Sequence, residues 1–341
     1  MRYTLFGRSG LRVSELCLGT MTFGEDWGWG ASKEESRRIF DRYVEAGGNF
    51  VDTSSNYTNG TAERFVGEFV ASDRDHFVLA TKYTLTDRPG DPNFGGNHRK
   101  NLLRSLEGSL TRLGTDRVDV LWLHMWDGMT PVDEVVRALD DVVRSGKALY
   151  VGFSDTPAWV VSQANTMAEL RGWSRFVGLQ LPYSLADRSP ERDLLPMAKA
   201  FEMAVMVWGL LEGGVLTGKY RRRGEEGATR YEGASERELA IGDAVVAVAE
   251  ELGASPSQVA INWVRAQRAR ALVLPILGAR TEAQLKENLG CLDVELTDDH
   301  LRRLDEASPF SAGFPKSFLE SDGVRELIFG ETFGLIDPYR P

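Results

Sequence analysis

The sequence predicts a (β/α)8 barrel of the TIM-barrel type, and three observations favour this fold. Eight short apolar runs are spaced along the 341 residues, and helical patterns with start and stop signals separate them. The runs are almost continuously apolar, as in parallel strands buried on both faces. A doubly wound open sheet, the alternative, usually has a Gly-x-Gly-x-x-Gly turn after its first strand, and the sequence lacks this turn there. We expect residues 1–341 to form one barrel domain.

The apolar runs give the predicted strands, which lie at 16–20, 49–53, 77–82, 118–124, 148–153, 176–181, 203–208 and 272–277. Ahead of them, residues 1–13 predict a hairpin with its turn at Arg8-Ser9-Gly10, and we expect it to close the bottom of the barrel. Residues 309–341 form an extra C-terminal segment in this interpretation.

Capping signals mark the helices between the strands. Ser32 and Glu35 have the spacing of a capping box. Thr130 and Pro131 predict the N-cap and the first residue of another helix, which we expect to stop at Gly146. A leucine stripe predicts a further helix, with apolar positions at Leu102, Leu103, Leu106, Leu110 and Leu113.

Composition excludes several classes of partner. The chain has 40 Lys and Arg against 50 Asp and Glu, and this net charge of −10 makes nucleic acid an unexpected partner. No apolar stretch approaches the roughly 20 residues of a membrane span, so we expect no membrane partner and a cytoplasmic location. The two cysteines, Cys17 and Cys291, lack metal-site spacing, and no metal is expected. Composition leaves the oligomeric state open.

Five consecutive predicted strands end in a polar residue. These residues are Asp52, Lys82, His124, Ser154 and Gln180. Taken singly, such residues have structural interpretations as a loop cap, a rim lysine or a core histidine. However, the C-terminal ends of barrel strands meet at one face, where (β/α)8 enzymes carry their chemistry. Together, the five residues predict a functional site.

The order of motifs resembles the aldo-keto reductases over nearly the whole chain. The matching motifs are Gly19-Thr20-Met21, Phe50-Val51-Asp52-Thr53-x-x-x-Tyr57, Ala80-Thr81-Lys82, Leu123-His124, Val151-Gly152-Phe153-Ser154, Gln180-x-x-Tyr183-Ser184 and Gly278-Ala279-Arg280-Thr281-x-x-Gln284-x-x-x-Asn288. The chain looks closest to the bacterial branch that also resembles potassium-channel β subunits. The resemblance implies hydride transfer from a nicotinamide to an aldehyde, ketone or keto-sugar carbonyl.

The resemblance also implies roles for four catalytic residues. Tyr57 is the general acid, and the Lys82 ammonium is expected to favour its phenolate. Asp52 pairs with Lys82 and balances its charge. His124 donates a hydrogen bond to the substrate oxygen.

By the same resemblance, the cofactor lies along this barrel face. Ser154 and Gln180 are expected to bind the nicotinamide carboxamide, and Trp208 to stack on the ring. Asp155 stands where many family members have asparagine. An ionised carboxylate has no N–H to donate, so we do not carry the asparagine role over to Asp155.

The glycine-rich stretch 209–220 suits a loop that approaches a pyrophosphate, although a plain mobile loop would look the same. The expected cofactor contacts in this stretch are Gly209, Leu211, Gly213 and Lys219. The basic run at 221–223 that follows favours a solvated turn.

The helix after the eighth strand suits the adenine end of the cofactor. The expected contacts are Gly278, Arg280, Gln284 and Asn288. Gln284 also completes a capping box with Thr281, so a structural role stays open. Arg280 is suited to a 2′-phosphate, which favours NADP(H), with NAD(H) as the alternative.

Aromatic residues in the loops of this face predict a pocket for a small-molecule carbonyl or alcohol substrate. Trp27 and Trp126 are the principal candidates, and Trp29 and Phe94 lie in the same loops. A packing role for Trp27 and Trp29 stays open. The loop 83–99 and the tail 309–341 are candidate lids.

Two other functions compete with a reductase. One is a cofactor-bound regulatory subunit without turnover. The other is a metal-dependent hydrolase, which needs a cluster of histidine and carboxylate ligands, whereas His124 is the one histidine at a predicted strand end.

Overall fold

Eight parallel strands form a closed barrel. The computed structural model describes residues 1–220 and 234–337, so the basic run 221–223 and the end of the tail, 338–341, lie outside the described residues. The strands are β1 (Tyr3–Leu5), β2 (Arg12–Ser14), β3 (Cys17–Gly19), β4 (Phe50–Asp52), β5 (Val78–Tyr83), β6 (Val118–Leu123), β7 (Ala148–Ser154), β8 (Phe176–Pro182), β9 (Ala204–Trp208) and β10 (Leu272–Leu277).

Strands β3 to β10 follow one another around the barrel in chain order. The barrel closes where β10 pairs with β3, with Ile276 opposite Cys17 and Leu277 opposite Leu18. All eight predicted barrel strands are confirmed, each within one residue of its predicted bounds. The (β/α)8 fold is therefore confirmed. That residues 1–341 form a single domain stays a prediction.

Helices surround the barrel and extend into the C-terminal segment. They are α1 (Lys33–Glu45), α2 (Thr61–Val70), α3 (Arg99–Leu113), α4 (Val132–Arg144), α5 (Ala158–Arg171), α6 (Leu194–Ala200), α7 (Glu236–Leu252), α8 (Pro256–Ala266), α9 (Glu282–Leu289), α10 (Asp298–Ala307), α11 (Lys316–Leu319) and α12 (Asp322–Phe329). Across the two described ranges, no helix has the length and apolarity that crossing a membrane requires.

Three local expectations need correction. Helix α4 begins at Val132 with Pro131 as its N-cap, because the Thr130 hydroxyl donates to Asp127 Oδ2 at 2.7 Å and thus belongs to the preceding turn. At α1, Ser32 accepts from the Glu35 N–H as predicted. The Glu35 carboxylate, however, accepts from the N–H of Glu282 and links α1 to α9.

The third correction concerns the leucine stripe of α3. Leu103 is 39% exposed, whereas the other four leucines are buried. Positions 102, 106, 110 and 113 share one helix face, and a helix turns by roughly 100° to the next residue. Leu103 therefore leaves the buried face.

The barrel interior packs around the indole of Trp122 on β6. Gly152 and Gly178, on the next two strands, leave room for it, since a Cβ on them would lie 2.3 and 2.7 Å from indole carbons. Phe6, between β1 and β2, makes an edge contact with this indole at a centroid distance of 6.1 Å. Gly7 lies against the backbone of Val177 and Ala204, near the first residues of β8 and β9. The predicted hairpin at the barrel bottom is thereby confirmed.

The C-terminal segment begins at the opposite face of the barrel. Arg188, in the loop after β8, donates to the Ser308 carbonyl at 2.9 Å. Arg192 donates to the Ala312 carbonyl at 2.8 Å. These contacts place the start of the tail beside the C-terminal ends of the strands, and its role as a lid stays a prediction.

Candidate active site

A buried cluster of polar side chains lies at the C-terminal ends of β4, β5 and β6. Lys82 Nζ, on β5, lies 2.5 Å from Asp52 Oδ2, 2.8 Å from the Thr53 carbonyl oxygen and 3.0 Å from the phenol oxygen of Tyr57. Lys82 is fully buried, and His124, the residue after β6, is 8% exposed. The structure thus brings together all four residues that the sequence indicated as catalytic.

A tight turn after β4 returns Tyr57 to the cluster. The Tyr57 N–H donates to the Ser54 carbonyl at 3.2 Å. Thr58 and Asn59 then adopt left-handed conformations with φ of 44° and 55°, a costly arrangement for residues other than glycine. The Thr58 hydroxyl, which donates to the Phe23 carbonyl at 2.6 Å, holds this turn in place.

The ion pair between Lys82 and Asp52 keeps the lysine charged. Burial acts to lower the pKa of Lys82, but the Asp52 carboxylate and the Tyr57 phenol outweigh it, and the pKa lies above its ordinary value. The site therefore contains an ammonium with three acceptor oxygens around it.

Burial raises the pKa of Tyr57 above its ordinary value, while Lys82 acts in the opposite direction. The Lys82 ammonium lowers the pKa of the phenol, as expected, but desolvation of the phenolate raises this pKa by more. Tyr57 consequently holds its proton at neutral pH.

The imidazole of His124 is neutral. Burial and the nearby Lys82 ammonium lower the pKa of His124 to about 3. Its Nδ1 lies 3.2 Å from Ser54 Oγ, and its ring lies edge-on to that of Tyr57 at a centroid distance of 6.2 Å. A neutral imidazole has one N–H donor and one acceptor nitrogen.

The next two strands bring three further polar residues to the same face. Gln180 on β8 lies directly opposite Ser154 on β7, and its Nε2 donates to Asp52 Oδ1 at 3.0 Å. Ser154 Oγ and Asp155 Oδ1 are buried and have no hydrogen-bond partner in the part of the chain that the structure describes. Buried polar atoms without a partner are rare, and here they fit a site that a polar ligand completes.

Asp155 has an unusual backbone conformation at the end of β7, with φ of 41°. Its N–H donates to the Gln180 carbonyl, and its own carbonyl accepts from the Trp126 N–H. Burial raises the pKa of Asp155 to about 6, against the influence of Lys82 and of a hydrogen bond with Trp208.

Trp208 is the last residue of β9, and the glycine-rich stretch follows it. Trp208 is 40% exposed, so its ring has free surface at the mouth of the barrel. A Cβ added to Gly209 would have no atom within 4 Å. Gly213 has φ of 58°, and Leu211 packs partly buried against the core. The accessible aromatic face of Trp208 fits a planar ring that stacks on it. The open backbone of the glycine-rich stretch fits the close approach of an extended phosphate chain.

Two cations lie near each other at the far end of this region. Partial burial and the guanidinium of Arg280 lower the pKa of Lys219. Mutually repelling cations of this kind suit an anionic ligand.

Gln284 and Asn288 support the backbone at the start of α9. Gln284 Oε1 accepts from the Arg280 N–H at 2.9 Å, and Asn288 Nδ2 lies 3.4 Å from the Gly278 carbonyl oxygen. The Thr281 hydroxyl accepts from the Gln284 N–H at 3.2 Å, as the capping box predicts, but the Gln284 side chain accepts from the Arg280 N–H and not from that of Thr281. A cofactor role for this group stays a prediction.

Aromatic rings flank the cluster on one side. The rings of Trp27 and Tyr57 meet edge-on at 6.5 Å, and Trp29 lies 5.6 Å from Trp27. Trp126 packs partly buried against the core. Phe94 packs against two guanidinium groups, those of Arg88 and Arg104, at 4.0 and 4.2 Å. Trp27 is therefore the predicted pocket residue that contacts the catalytic cluster.

Comparison with known proteins assigns the family. Residues 15–309 match the sequence profile of the Aldo/keto reductase family. The chain belongs to this family. The aldo/keto reductase resemblance predicted from the sequence is thereby confirmed, and the protein is an NAD(P)H-dependent oxidoreductase that acts on CH–OH and carbonyl groups. Its placement in a bacterial branch stays a prediction.

Named members of the aldo/keto reductase family align with most of the chain. Norsolorinic acid reductase stcV of Emericella nidulans is 39% identical over 324 residues, which cover 91% of this chain and 82% of that protein. Norsolorinic acid reductase A of Aspergillus parasiticus is 38% identical over 323 residues, with coverages of 91% and 82%. The NADP(+) aryl-alcohol dehydrogenase of Phanerodontia chrysosporium is 37% identical over 354 aligned positions, with coverages of 97% and 91%.

Two contacts in this aldo/keto reductase site were missed from the sequence. The Thr53 carbonyl accepts from Lys82, but a backbone acceptor carries no residue-type signal. Ser54 lies beside His124, and its hydroxyl, two residues after Asp52, is a signal that could have been used.

Proposed function

We propose that the protein is an NADPH-dependent carbonyl reductase that uses Tyr57 as its general acid. The observation that carries this proposal is the 3.0 Å contact between the Tyr57 phenol oxygen and Lys82 Nζ inside the buried cluster. An acid beside a fixed ammonium can release its proton to a substrate oxygen and have the resulting phenolate stabilised at once.

NADPH, when bound, would supply the hydride. Tyr57 holds a proton at its phenol oxygen, because burial raises its pKa. Lys82 stabilises the phenolate left after that proton moves to the substrate oxygen. Asp52 keeps Lys82 protonated and fixed in position.

His124 orients the substrate oxygen in this proposal. This role needs the Nε2–H tautomer, in which Nδ1 accepts from Ser54 Oγ, 3.2 Å away. The Ser54 hydroxyl donates to Asn56 Oδ1 at 2.7 Å in this structure, so its proton would turn to Nδ1 when the substrate binds. The neutral ring, with a pKa of about 3, then donates to the developing negative charge without competing with Tyr57 for the proton transfer.

The cofactor residues follow from the shape and polarity of the same face. Ser154 Oγ, buried and without a partner in the described ranges, would bind the carboxamide, and the free face of Trp208 would stack on the nicotinamide ring. Lys219 would meet the phosphates and Arg280 the 2′-phosphate. The relative named as an NADP(+) enzyme supports NADPH over NADH.

For the substrate, we propose an aromatic aldehyde or ketone. Trp27 lies edge-on against Tyr57, and an aromatic wall beside the acid favours a planar ring. The name of the aryl-alcohol dehydrogenase among the relatives supports the same class.

A substrate panel tests the proposal. Aromatic aldehydes, aryl ketones, aliphatic aldehydes and keto sugars are each mixed with the protein and NADPH or NADH, and the loss of reduced-nicotinamide absorbance is followed. We expect the fastest turnover with an aromatic aldehyde and NADPH. Tight NADPH binding without turnover on any member would instead favour the regulatory-subunit alternative.

A metal-dependent hydrolase has no support in this geometry. Within residues 1–220 and 234–337, no group of three or more histidine, cysteine, aspartate or glutamate side chains is arranged to hold a metal ion.

A further inference from the structure

We propose that Asp155 binds the nicotinamide carboxamide as a neutral carboxylic acid, so that cofactor binding takes up a proton at this side chain. This inference rests on the proposed function, because it requires a nicotinamide at the face formed by β7 and β8. It assigns a role to the residue that replaces the common asparagine of the family.

The first step is the orientation of Gln180. Its Nε2 donates to Asp52 Oδ1 at 3.0 Å, and Lys82 holds the other oxygen of this carboxylate. The opposite amide orientation would set a carbonyl oxygen against a carboxylate, which is repulsive. Gln180 is therefore left with an acceptor oxygen, suited to the NH2 group of a ligand amide.

The second step is the position of Ser154 and Asp155. Ser154 lies directly opposite Gln180 in the register of β7 and β8. If the NH2 group of a ligand amide donates to the Gln180 oxygen, the carbonyl oxygen of that amide points toward Ser154 and Asp155. Ser154 Oγ and Asp155 Oδ1 are both buried and lack a partner among the described residues. The Ser154 hydroxyl can donate to that oxygen.

The third step is the backbone of Asp155. Successive side chains of a strand point to opposite faces, which would turn Asp155 away from Ser154. Its φ of 41° breaks the strand, and this left-handed conformation is rare outside glycine. The carboxyl group consequently lies within electrostatic reach of Lys82 and Tyr57, so it faces the catalytic cluster.

The fourth step is charge. An ionised carboxylate offers acceptors alone and would repel a carbonyl oxygen, whereas a carboxylic acid offers an O–H donor. Burial raises the pKa of Asp155 to about 6, so the carboxylic acid form is populated at a mildly acidic pH. Of the charged groups facing it, the Lys82 ammonium opposes protonation but is paired with Asp52. Tyr57 and His124 are uncharged at neutral pH.

The sign of the pH dependence follows from these steps. The acid form of Asp155 binds the carboxamide and the ionised form does not. The affinity for the cofactor is therefore highest below a pH of about 6. It weakens by about tenfold per pH unit above this value, until the pH reaches the pKa that Asp155 has in the complex.

The experiment measures dissociation constants for NADPH by quenching of tryptophan fluorescence between pH 5 and pH 9. Wild type is compared with Asp155→Asn, which introduces an N–H donor that is present at every pH and does not titrate. Asp116→Asn, at an aspartate that is 85% exposed, is the matched control. The 2′-phosphate of NADPH also titrates with a pKa of about 6. Dividing the dissociation constant of wild type by that of Asp155→Asn cancels this effect, and NADH serves as a cofactor without the phosphate.

We expect the dissociation constant of wild type divided by that of Asp155→Asn to rise with pH. At pH 8, Asp155→Asn should bind NADPH at least about tenfold more tightly than wild type, since this pH lies two units above the pKa of Asp155. Calorimetry in two buffers of different ionisation enthalpy should show near pH 7.5 an additional proton taken up by wild type and by Asp116→Asn but not by Asp155→Asn.

Parallel curves for wild type and Asp155→Asn, or equal proton uptake, would overturn the inference and leave the proposed function standing. If wild type binds neither NADPH nor NADH at any pH, the proposed function fails, and the role of Asp155 fails with it. Weaker binding by Asp155→Asn across the whole range would show that the carboxylate form is the one the site uses, and would also overturn the inference.

Discussion

The phenol oxygen of Tyr57 lies 3.0 Å from the ammonium nitrogen of Lys82, which in turn lies 4.6 Å from the centre of the Tyr57 ring. The ammonium is fully buried and shares Asp52 with Gln180. The charge and position of Lys82 therefore act on the proton of Tyr57 over one hydrogen bond, and substitutions at each residue separate the two roles.

Replacing Tyr57 with phenylalanine should reduce turnover by roughly 10² to 10⁴, the usual contribution of a general acid. The ring stays in place against Trp27 and His124, so cofactor binding should be unchanged. Steady-state rates and NADPH dissociation constants measure the two effects separately. More than about a tenth of wild-type turnover, with hydride transfer shown to limit the rate, would rule out Tyr57 as the acid.

Lys82→Met should abolish most turnover and also destabilise the fold. It leaves Asp52 as an uncompensated buried charge, which costs roughly 3 to 5 kcal/mol of unfolding free energy. The double variant Asp52→Asn with Lys82→Met removes that charge, so it should recover part of the stability but none of the turnover. Urea unfolding and rate measurements on wild type and the two variants check this. Equal stabilities for the single and double variants would show that Asp52 is not held by Lys82.

Much of the fold was predictable, because its physical causes are local. Parallel barrel strands are buried on both faces, so each of them, for example 118–124 around Trp122, reads as an uninterrupted apolar run. The polar residue that ends such a run falls at the catalytic face, which is why Asp52, Lys82 and His124 could be grouped before their distances were known.

What could not be predicted depends on the surroundings in three dimensions. The pKa of Tyr57 is raised because the effect of desolvation exceeds that of Lys82. The residues next to Tyr57 in the sequence do not predict how deeply its side chain is buried. The left-handed turn at Asp155 aims its carboxyl group at the cluster. Thr130 joined the Asp127 turn instead of capping α4 since both roles suit its hydroxyl.

The neutral His124 should make the fold less stable in mild acid. Burial and Lys82 lower its pKa to about 3, against about 6.5 in the unfolded chain. Between these two pH values the unfolded chain takes up a proton that the folded protein does not. The contribution of His124 to the unfolding free energy therefore falls as the pH drops below about 6.5, with a slope of up to about 1.4 kcal/mol per unit. The raised pKa of Asp155 acts in the opposite direction below a pH of about 6, so the comparison with a His124 variant isolates this contribution.

Urea unfolding at pH 7, 6 and 5 tests this with His124→Gln, which should show a smaller slope than wild type. His76→Gln, at an exposed histidine, is the control and should keep the wild-type slope. An unchanged slope in His124→Gln would mean that the imidazole titrates normally in the folded protein.

Arg280 should set the choice between NADPH and NADH. Arg280 is exposed at the start of α9 and lies close enough to Lys219 to lower its pKa. If Arg280 binds the 2′-phosphate, Arg280→Ala removes a charge-assisted contact worth roughly 1.5 to 3 kcal/mol, which corresponds to about 10- to 150-fold weaker NADPH binding. NADH has no such phosphate, and its affinity should barely change. Lys286→Ala, at an exposed lysine on the same helix, removes an equal charge and is the matched control. Equal small losses for both cofactors, or the same loss in Lys286→Ala, would show a general effect of charge and make NADH the alternative to test as the working cofactor.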